Sequence, residues 1–208
     1  MIQPKFDTSY NQTWLPLQEL AAKLSPNISP ADWLRVSSAY EMAENVHMYQ
    51  KRNDGTPYFW HCTRVVKIIT HELELSHPNL IIAAILHDSL EDSDILNYEI
   101  LEYNFGSDVS SWVEVLTKQV RVRDEAEKAA INKEYQQRVQ DGPMACKIIK
   151  LADRLDNTRC IQFNLKRNPF SYIQETHDHY LPMASKAASP ELHKLAEKII
   201  AEMNRYLG

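Results

Sequence analysis

Apolar residues recur along this chain at helical spacing, and no stretch alternates with the two-residue period of a half-buried strand. The pattern predicts helices joined by short loops. One helix falls in a mixed lead-in before residue 24. The next opens at Ser29-Pro30-Ala31-Asp32, where Ser caps, Pro occupies the first helical position and an acid follows three residues on; it should reach about Lys51. Asn53-Asp54-Gly55-Thr56-Pro57 is a turn. A helix over about 59–73 follows, and Pro78 opens another over about 79–90 that is apolar nearly all round and therefore central. Shorter helices are expected near 95–104 and 107–118. Residues 121–140 are charged and only weakly apolar, which fits a solvated helix, a mobile loop or a lid over a substrate. Asp141-Gly142-Pro143 breaks that segment. Helices over about 145–163, 169–186 and 190–206 complete an all-α reading.

Composition narrows the function. Among 208 residues there are only four glycines, at 55, 106, 142 and 208. They are too far apart for a G-x-G-x-x-G dinucleotide turn, a Walker A loop or a G-x-S-x-G nucleophile elbow. The net charge of -5 argues against non-specific nucleic-acid binding. The longest apolar run, Leu80 to Leu86, is far too short to span a membrane. The first residues lack a signal-peptide core. Cys62, Cys146 and Cys160 form no C-x-x-C and read as reduced thiols of a cytoplasmic protein.

The chemistry concentrates at His87-Asp88-Ser89-Leu90-Glu91-Asp92, directly after the apolar Ile81–Leu86 run. If the helix continued, Glu91 would lie one turn from His87 and Asp92 one turn from Asp88. An imidazole and three carboxylates so close need a cation or compensating hydrogen bonds; acids at a helix C-terminus also oppose its dipole. A metal site and a frayed, solubilising helix end both remain open on this segment alone. Asp153 follows a second apolar helix, between Leu151 and Leu155, and wants a partner, either a metal or an internal base such as Arg154. His61 stands beside Trp60 and Cys62, and a lone His among aromatics is more often a hydrogen-bonded core residue than a ligand. His71 and His77 miss the H-E-x-x-H spacing, and His177 and His179 point to different faces of a helix.

Together these pieces resemble the H…HD…D signature of HD-domain metal phosphohydrolases, and the flanks sharpen the likeness. Residues 46–61, VHMYQKRNDGTPYFWH, resemble A-H-x-G-Q-x-R-K-x-G-x-P-Y-x-x-H. Residues 83–93, AAILHDSLEDS, resemble A-A-L-L-H-D-x-x-E-D-T, and residues 150–159, KLADRLDNTR, resemble K-L-A-D-R-x-H-N-M-R. In this order the three blocks are similar to the hydrolase domain of RelA/SpoT alarmone enzymes. They cover about residues 38–165, so the chain is expected to be a single HD-type domain over 1–208, a stand-alone small alarmone hydrolase. The segments outside 38–165 carry no legible chemistry.

The resemblance implies that His61, His87, Asp88 and Asp153 hold one divalent metal, Mn²⁺ by family preference. Two imidazoles and two carboxylates suit such an ion with positions left open for water and substrate. It further implies that Glu91 and Asp92 orient the attacking water and move protons, that Arg52, Asn53 and Asn157 meet the nucleotide, and that Tyr58 and His47 support the pocket. The implied reaction is hydrolysis of guanosine tetra- or pentaphosphate at the 3′ position. Four departures bear on substrate: Tyr49 replaces the family's Gly, Asn53 its Lys, Cys62 its Pro and Asp156 its His. The competing readings are an HD phosphohydrolase acting on another nucleotide, such as the 2′-phosphate of NADPH, and a non-catalytic nucleotide sensor on the same scaffold. The oligomeric state leaves no signature.

Overall fold

The structure is a computed structural model that describes residues 9–93, 95–118, 124–164 and 168–208, apart from the side chains of Asp92 and Glu125. Its elements are α1 (Leu17–Leu24), α2 (Pro30–Val46), α3 (Tyr58–Lys67), α4 (Pro78–Leu86), α5 (Ser89–Asp92), α6 (Tyr98–Phe105), α7 (Ser107–Leu116), α8 (Glu125–Asp141), α9 (Met144–Arg159), α10 (Pro169–Glu175), α11 (Leu181–Ser185) and α12 (Pro190–Leu207). Among the described residues there is no strand, only one antiparallel bridge between Lys51 and Pro57. The fold is all-α, as the periodicity predicts. Among the described residues no helix is long and apolar enough to cross a membrane.

Two helices organise the interior. Every residue of α4 from Leu80 to Leu86 is buried, because α2, α3, α7 and α9 surround it. The second, α9, packs on α3, α4, α7, α8 and α12. It buries Asp153, Arg154 and Asp156 along with its apolar residues, so polar chemistry is carried into the core. Opposite, α12 covers α9 with Leu192, Leu195, Ile199 and Met203, spaced along one helical face.

Local signals explain most boundaries. Ser29 Oγ accepts from the Asp32 amide at 3.1 Å, the predicted cap of α2. That helix ends at Val46, not near Lys51: the His47 ring meets Gln50 Oε1 at 2.6 Å, and the Gln50 carbonyl accepts from the Tyr58 amide at 3.0 Å. The chain is thereby drawn into the Arg52–Thr56 turn, where Gly55 adopts φ +85°, a conformation suited to glycine.

The helix expected over 59–73 continues past Lys67 as a wider π-helical turn, Ile68–Glu72. A second such turn, Thr176–Tyr180, divides the predicted 169–186 helix. Each extra residue rotates the following side chains around the axis, which brings Tyr180 inward to 2% exposure. The charged 121–140 segment forms α8 from Glu125 onward; its residues 121–123 lie outside the described residues. Although mostly solvated, this helix buries Tyr135 and Val139, one turn apart, against the body of the protein.

Candidate active site

α4 does not run on through the His-Asp pair. It ends at Leu86, and α5 starts afresh at Ser89, which corrects the expectation of one helix carrying His87 and Glu91 a turn apart. Side chains compete for the backbone and for each other at this break. The His87 ring nitrogen Nδ1 lies 2.9 Å from the Ala84 carbonyl oxygen, and Tyr58 donates its hydroxyl to Asp88 Oδ2 at 2.7 Å. A carbonyl can only accept, so Nδ1 of His87 carries a proton and Nε2 is the ring atom left facing the carboxylates.

The first turn of α3 supplies His61 at this point. Its Nε2 is 3.4 Å from Asp153 Oδ1 and 3.7 Å from Asp88 Oδ2, while His87 Nε2 is 3.2 Å from the same Asp88 oxygen. Ligand atoms of His61, His87 and Asp88 all lie within 4.8 Å of one another. Asp153 borders that trio through His61 and is anchored by Lys150 Nζ at 2.9 Å and by the Asn157 side-chain amide. His87 is 3% exposed, yet its Nε2 makes no hydrogen bond. A buried polar atom left unpaired is costly, and a divalent cation is the partner this set of imidazoles and carboxylates fits. These residues therefore could hold a metal.

The electrostatics agree. Burial alone would disfavour charge, but His87 is pushed up to about 9 by the adjacent Asp88, and Asp88 is held below the usual carboxylate range by the two imidazoles. Asp153 likewise overcomes its burial through Lys150, His61 and His87. The pocket floor thus keeps its carboxylates ionised, and a cation binding there would displace the proton that His87 holds on Nε2.

Glu91 sits at the edge of the same cavity. It accepts from the Lys118 backbone amide, and burial together with the charge of Asp88 raises it to about 7. A carboxyl tuned near neutrality is suited to taking and returning a proton. The backbone of its predicted companion Asp92 closes α5, but the Asp92 side chain lies outside the described residues.

A cavity of about 340 Å³ opens above this floor. All three residues expected to meet the nucleotide line it. Arg52 donates from Nη2 to Asn157 Oδ1 at 2.6 Å, and Asn53 hydrogen-bonds Asn164 Oδ1 at 2.5 Å on the rim. Tyr58 also lines the cavity, and His47 packs against the Tyr58 ring at 5.0 Å between centroids.

The rest of the cavity wall is basic and aromatic. Lys118, Lys150 and Arg154 face it together with Tyr135, Tyr172 and Tyr180. Lys150 lies over the Tyr135 ring at 5.1 Å, and the Arg154 guanidinium over Tyr180 at 3.9 Å and over Tyr172 at 4.5 Å. Arg154 also donates to Glu175 Oε2 at 2.9 Å, so the internal base that pairs with Asp153 is Lys150 and not Arg154. Lys150 could have been found from its place one turn before Asp153. Tyr135 and Lys118 sit in stretches with no motif. Of the other histidines, His77, His177 and His179 are exposed, and the three cysteines are buried free thiols.

Comparison with known proteins follows the same outline. A family model described as HD domain matches residues 39–188. The chain is 34% identical over 151 residues to guanosine-3′,5′-bis(diphosphate) 3′-pyrophosphohydrolase of Aquifex aeolicus, covering 73% of this chain and 21% of that protein. To GTP pyrophosphokinase of Streptomyces coelicolor it is 31% identical over 179 residues, 85% of this chain and 20% of the relative. It thus spans about one fifth of the length of these curated relatives. Among solved structures, a metazoan SpoT orthologue described as hydrolysing ppGpp superposes with a TM-score of 0.68 at 25% identity, over 81% of this chain and 94% of that one.

Proposed function

This chain belongs to the HD-domain family, matched over residues 39–188, and from that premise we propose that it is a metal-dependent phosphohydrolase acting on guanosine tetra- and pentaphosphate in the cytoplasm. The whole chain would work as one HD-type unit, releasing pyrophosphate from the 3′ position and leaving GDP or GTP. The observation that carries the reading is the juxtaposition within one cavity of a buried imidazole–carboxylate floor, a carboxyl raised toward neutrality and a cationic, aromatic wall. The relatives named for ppGpp hydrolysis support the same substrate class.

In this reading His61, His87, Asp88 and Asp153 hold one Mn²⁺, with Glu91 and Asp92 as the acid pair. The ion supplies Lewis-acid stabilisation of charge on a phosphoryl oxygen. Glu91 takes a proton from the water that attacks the phosphorus next to the ribose, and the bond from that phosphorus to the 3′ oxygen breaks. The departing 3′ oxygen leaves as a hydroxyl once it receives a proton from the acid pair. Lys118, Lys150 and Arg154 offset the polyphosphate charge, which is greatest as the transition state spreads charge over the phosphoryl oxygens. Arg52, Asn53 and Asn157 orient the nucleotide, and the tyrosine faces offer stacking surface.

The test is a metal-stripped preparation given Mn²⁺ and a panel of ppGpp, pppGpp, NADPH and GTP. Pyrophosphate released from the tetraphosphate with GDP as co-product is the expected result. Orthophosphate from NADPH alone would replace the reading with the 2′-phosphatase one. Binding of the guanosine nucleotides with no turnover would make the chain a sensor.

A further inference from the structure

Asp156 occupies the position at which this sequence departs from the K-L-A-D-R-x-H-N pattern, and it lies behind His61. Its Oδ2 is 2.7 Å from His61 Nδ1. Its other neighbours are donors or cations: Arg64 Nε to Oδ1 at 2.7 Å, Arg64 Nη2 to Oδ2 at 3.2 Å, the Tyr10 hydroxyl to Oδ1 at 2.9 Å, and Arg52 Nη1 3.6 Å from Oδ2. Asp156 is 0% exposed and Arg64 1%, so this ion pair is desolvated and its geometry closely determined. A carboxylate committed to a guanidinium can only accept, so the proton on the facing nitrogen belongs to His61.

We propose that Asp156 is a positioning residue for the metal centre, holding His61 in its Nδ1–H form with Nε2 aimed at Asp88 and Asp153. The inference rests on the reading of His61 as a metal ligand. A carboxylate behind a ligating imidazole fixes the ring's orientation and makes its free nitrogen a stronger donor. Arg64 keeps Asp156 in place, since it stands one turn after His61 on the same helix and is itself pinned by the carbonyls of Asn11 at 3.2 Å and Thr13 at 2.9 Å. The amino-terminal segment therefore reaches the centre at two removes, through Tyr10 directly on Asp156 and through residues 11–13 on Arg64. His87 has a backbone carbonyl in the corresponding place, so the two imidazoles are oriented by different means and only His61 depends on a charged side chain.

The experiment measures Mn²⁺ affinity by titration calorimetry on metal-stripped protein, with the metal-free melting temperature recorded alongside. Asp156→Asn should bind Mn²⁺ about 10–100-fold more weakly than the parent. A lowered melting temperature with an unchanged Kd would show that Asp156 serves only to neutralise the buried Arg64 and Arg52, and would overturn the proposal while leaving the metal reading intact. No Mn²⁺ binding by the parent would overturn both. Should the variant not fold, the parent protein decides the matter: with histidine labelled in ¹⁵N and diamagnetic Zn²⁺ bound, long-range NMR should show His61 coordinated through Nε2 with a slowly exchanging proton on Nδ1. Coordination through Nδ1, or an unprotonated Nδ1, would refute it.

Discussion

Around the floor of the cavity, His61, His87, Asp88 and Asp153 come from α3, the end of α4 and α9, and each is held by a hydrogen bond or ion pair to a buried neighbour. Across the same cavity, Lys118, Lys150 and Arg154 lie against the rings of Tyr135, Tyr172 and Tyr180, contributed by five separate stretches between residues 118 and 180. One half is built to attract a cation, the other to attract an anion. The floor depends on directional bonds, because ligand atoms must converge to within a few ångströms. The wall depends on charge and ring faces, which tolerate displacement. A phosphohydrolase needs both kinds of construction, and a change to one half should leave the signature of the other unaltered, except at Lys150, which belongs to the wall and anchors Asp153 of the floor.

The largest expected effect follows from breaking the floor. Asp88→Ala and Asp153→Ala should each lose metal by elemental analysis and lower turnover by about 10³-fold or more, several kcal/mol of stabilisation, while circular dichroism stays helical. Full metal content in both variants would remove these residues from the ligand set.

Next in size is Glu91→Gln, which keeps shape and removes the proton acceptor. Metal content should be unchanged, with kcat down about 10²–10⁴-fold. Near-normal turnover would make Glu91 a mere acceptor for the Lys118 amide.

A cluster of three charged side chains that lines neither half sets the scale of ordinary structural change. Arg159 binds Glu72 with two bonds, at 2.6 and 3.0 Å, and Lys198 reaches the same carboxylate at 2.9 Å. Burial opposes its charge, but these cations hold Glu72 below the usual range. A depressed folded-state pKa means stability that is present above the unfolded value of about 4.3 and lost as pH falls. Glu72→Gln should therefore cost about 1–2 kcal/mol near pH 7, and the gap to the parent should close below about pH 4. A gap independent of pH in denaturant titrations would show that charge is not the cause. Mn²⁺ affinity at neutral pH should not move.

Smallest is the effect of adding a cation on the rim. Asn53→Lys should lower KM for the tetraphosphate a few-fold, about 1 kcal/mol or less at an exposed site, with kcat largely unchanged. The gain should fade as salt rises. No change in KM would mean that position 53 does not face the phosphates.

The legible parts of this protein are those set by neighbours close in sequence, and they occur on both sides of the cavity. Helix periodicity, the Ser29 cap, the 52–57 turn and the three contiguous blocks could be read directly, since each depends on neighbours within a turn or two of chain. The motif blocks placed His61, His87, Asp88, Asp153, Arg52, Asn53 and Asn157 in advance, and all but the buried His87 line the cavity. Three features could not be read this way. The helix break at Leu86 depends on Tyr58 and the Ala84 carbonyl meeting the His-Asp pair. The basic wall depends on where α8 and the Thr176–Tyr180 turn come to rest. Asp156 looked like a lost histidine, because its partners Tyr10 and Arg64 are 146 and 92 residues away in the chain.

By itself, then, the amino-acid sequence determined an all-α chain and the donors on the cavity floor, because helix propensity and ligand chemistry are local properties of side chains. Tertiary structure alone decided which of those donors converge, which cations oppose them and what stands behind His61. Those are questions of distance between residues far apart in sequence, and they are answered only when burial of α4 and α9 brings their polar residues to a common point.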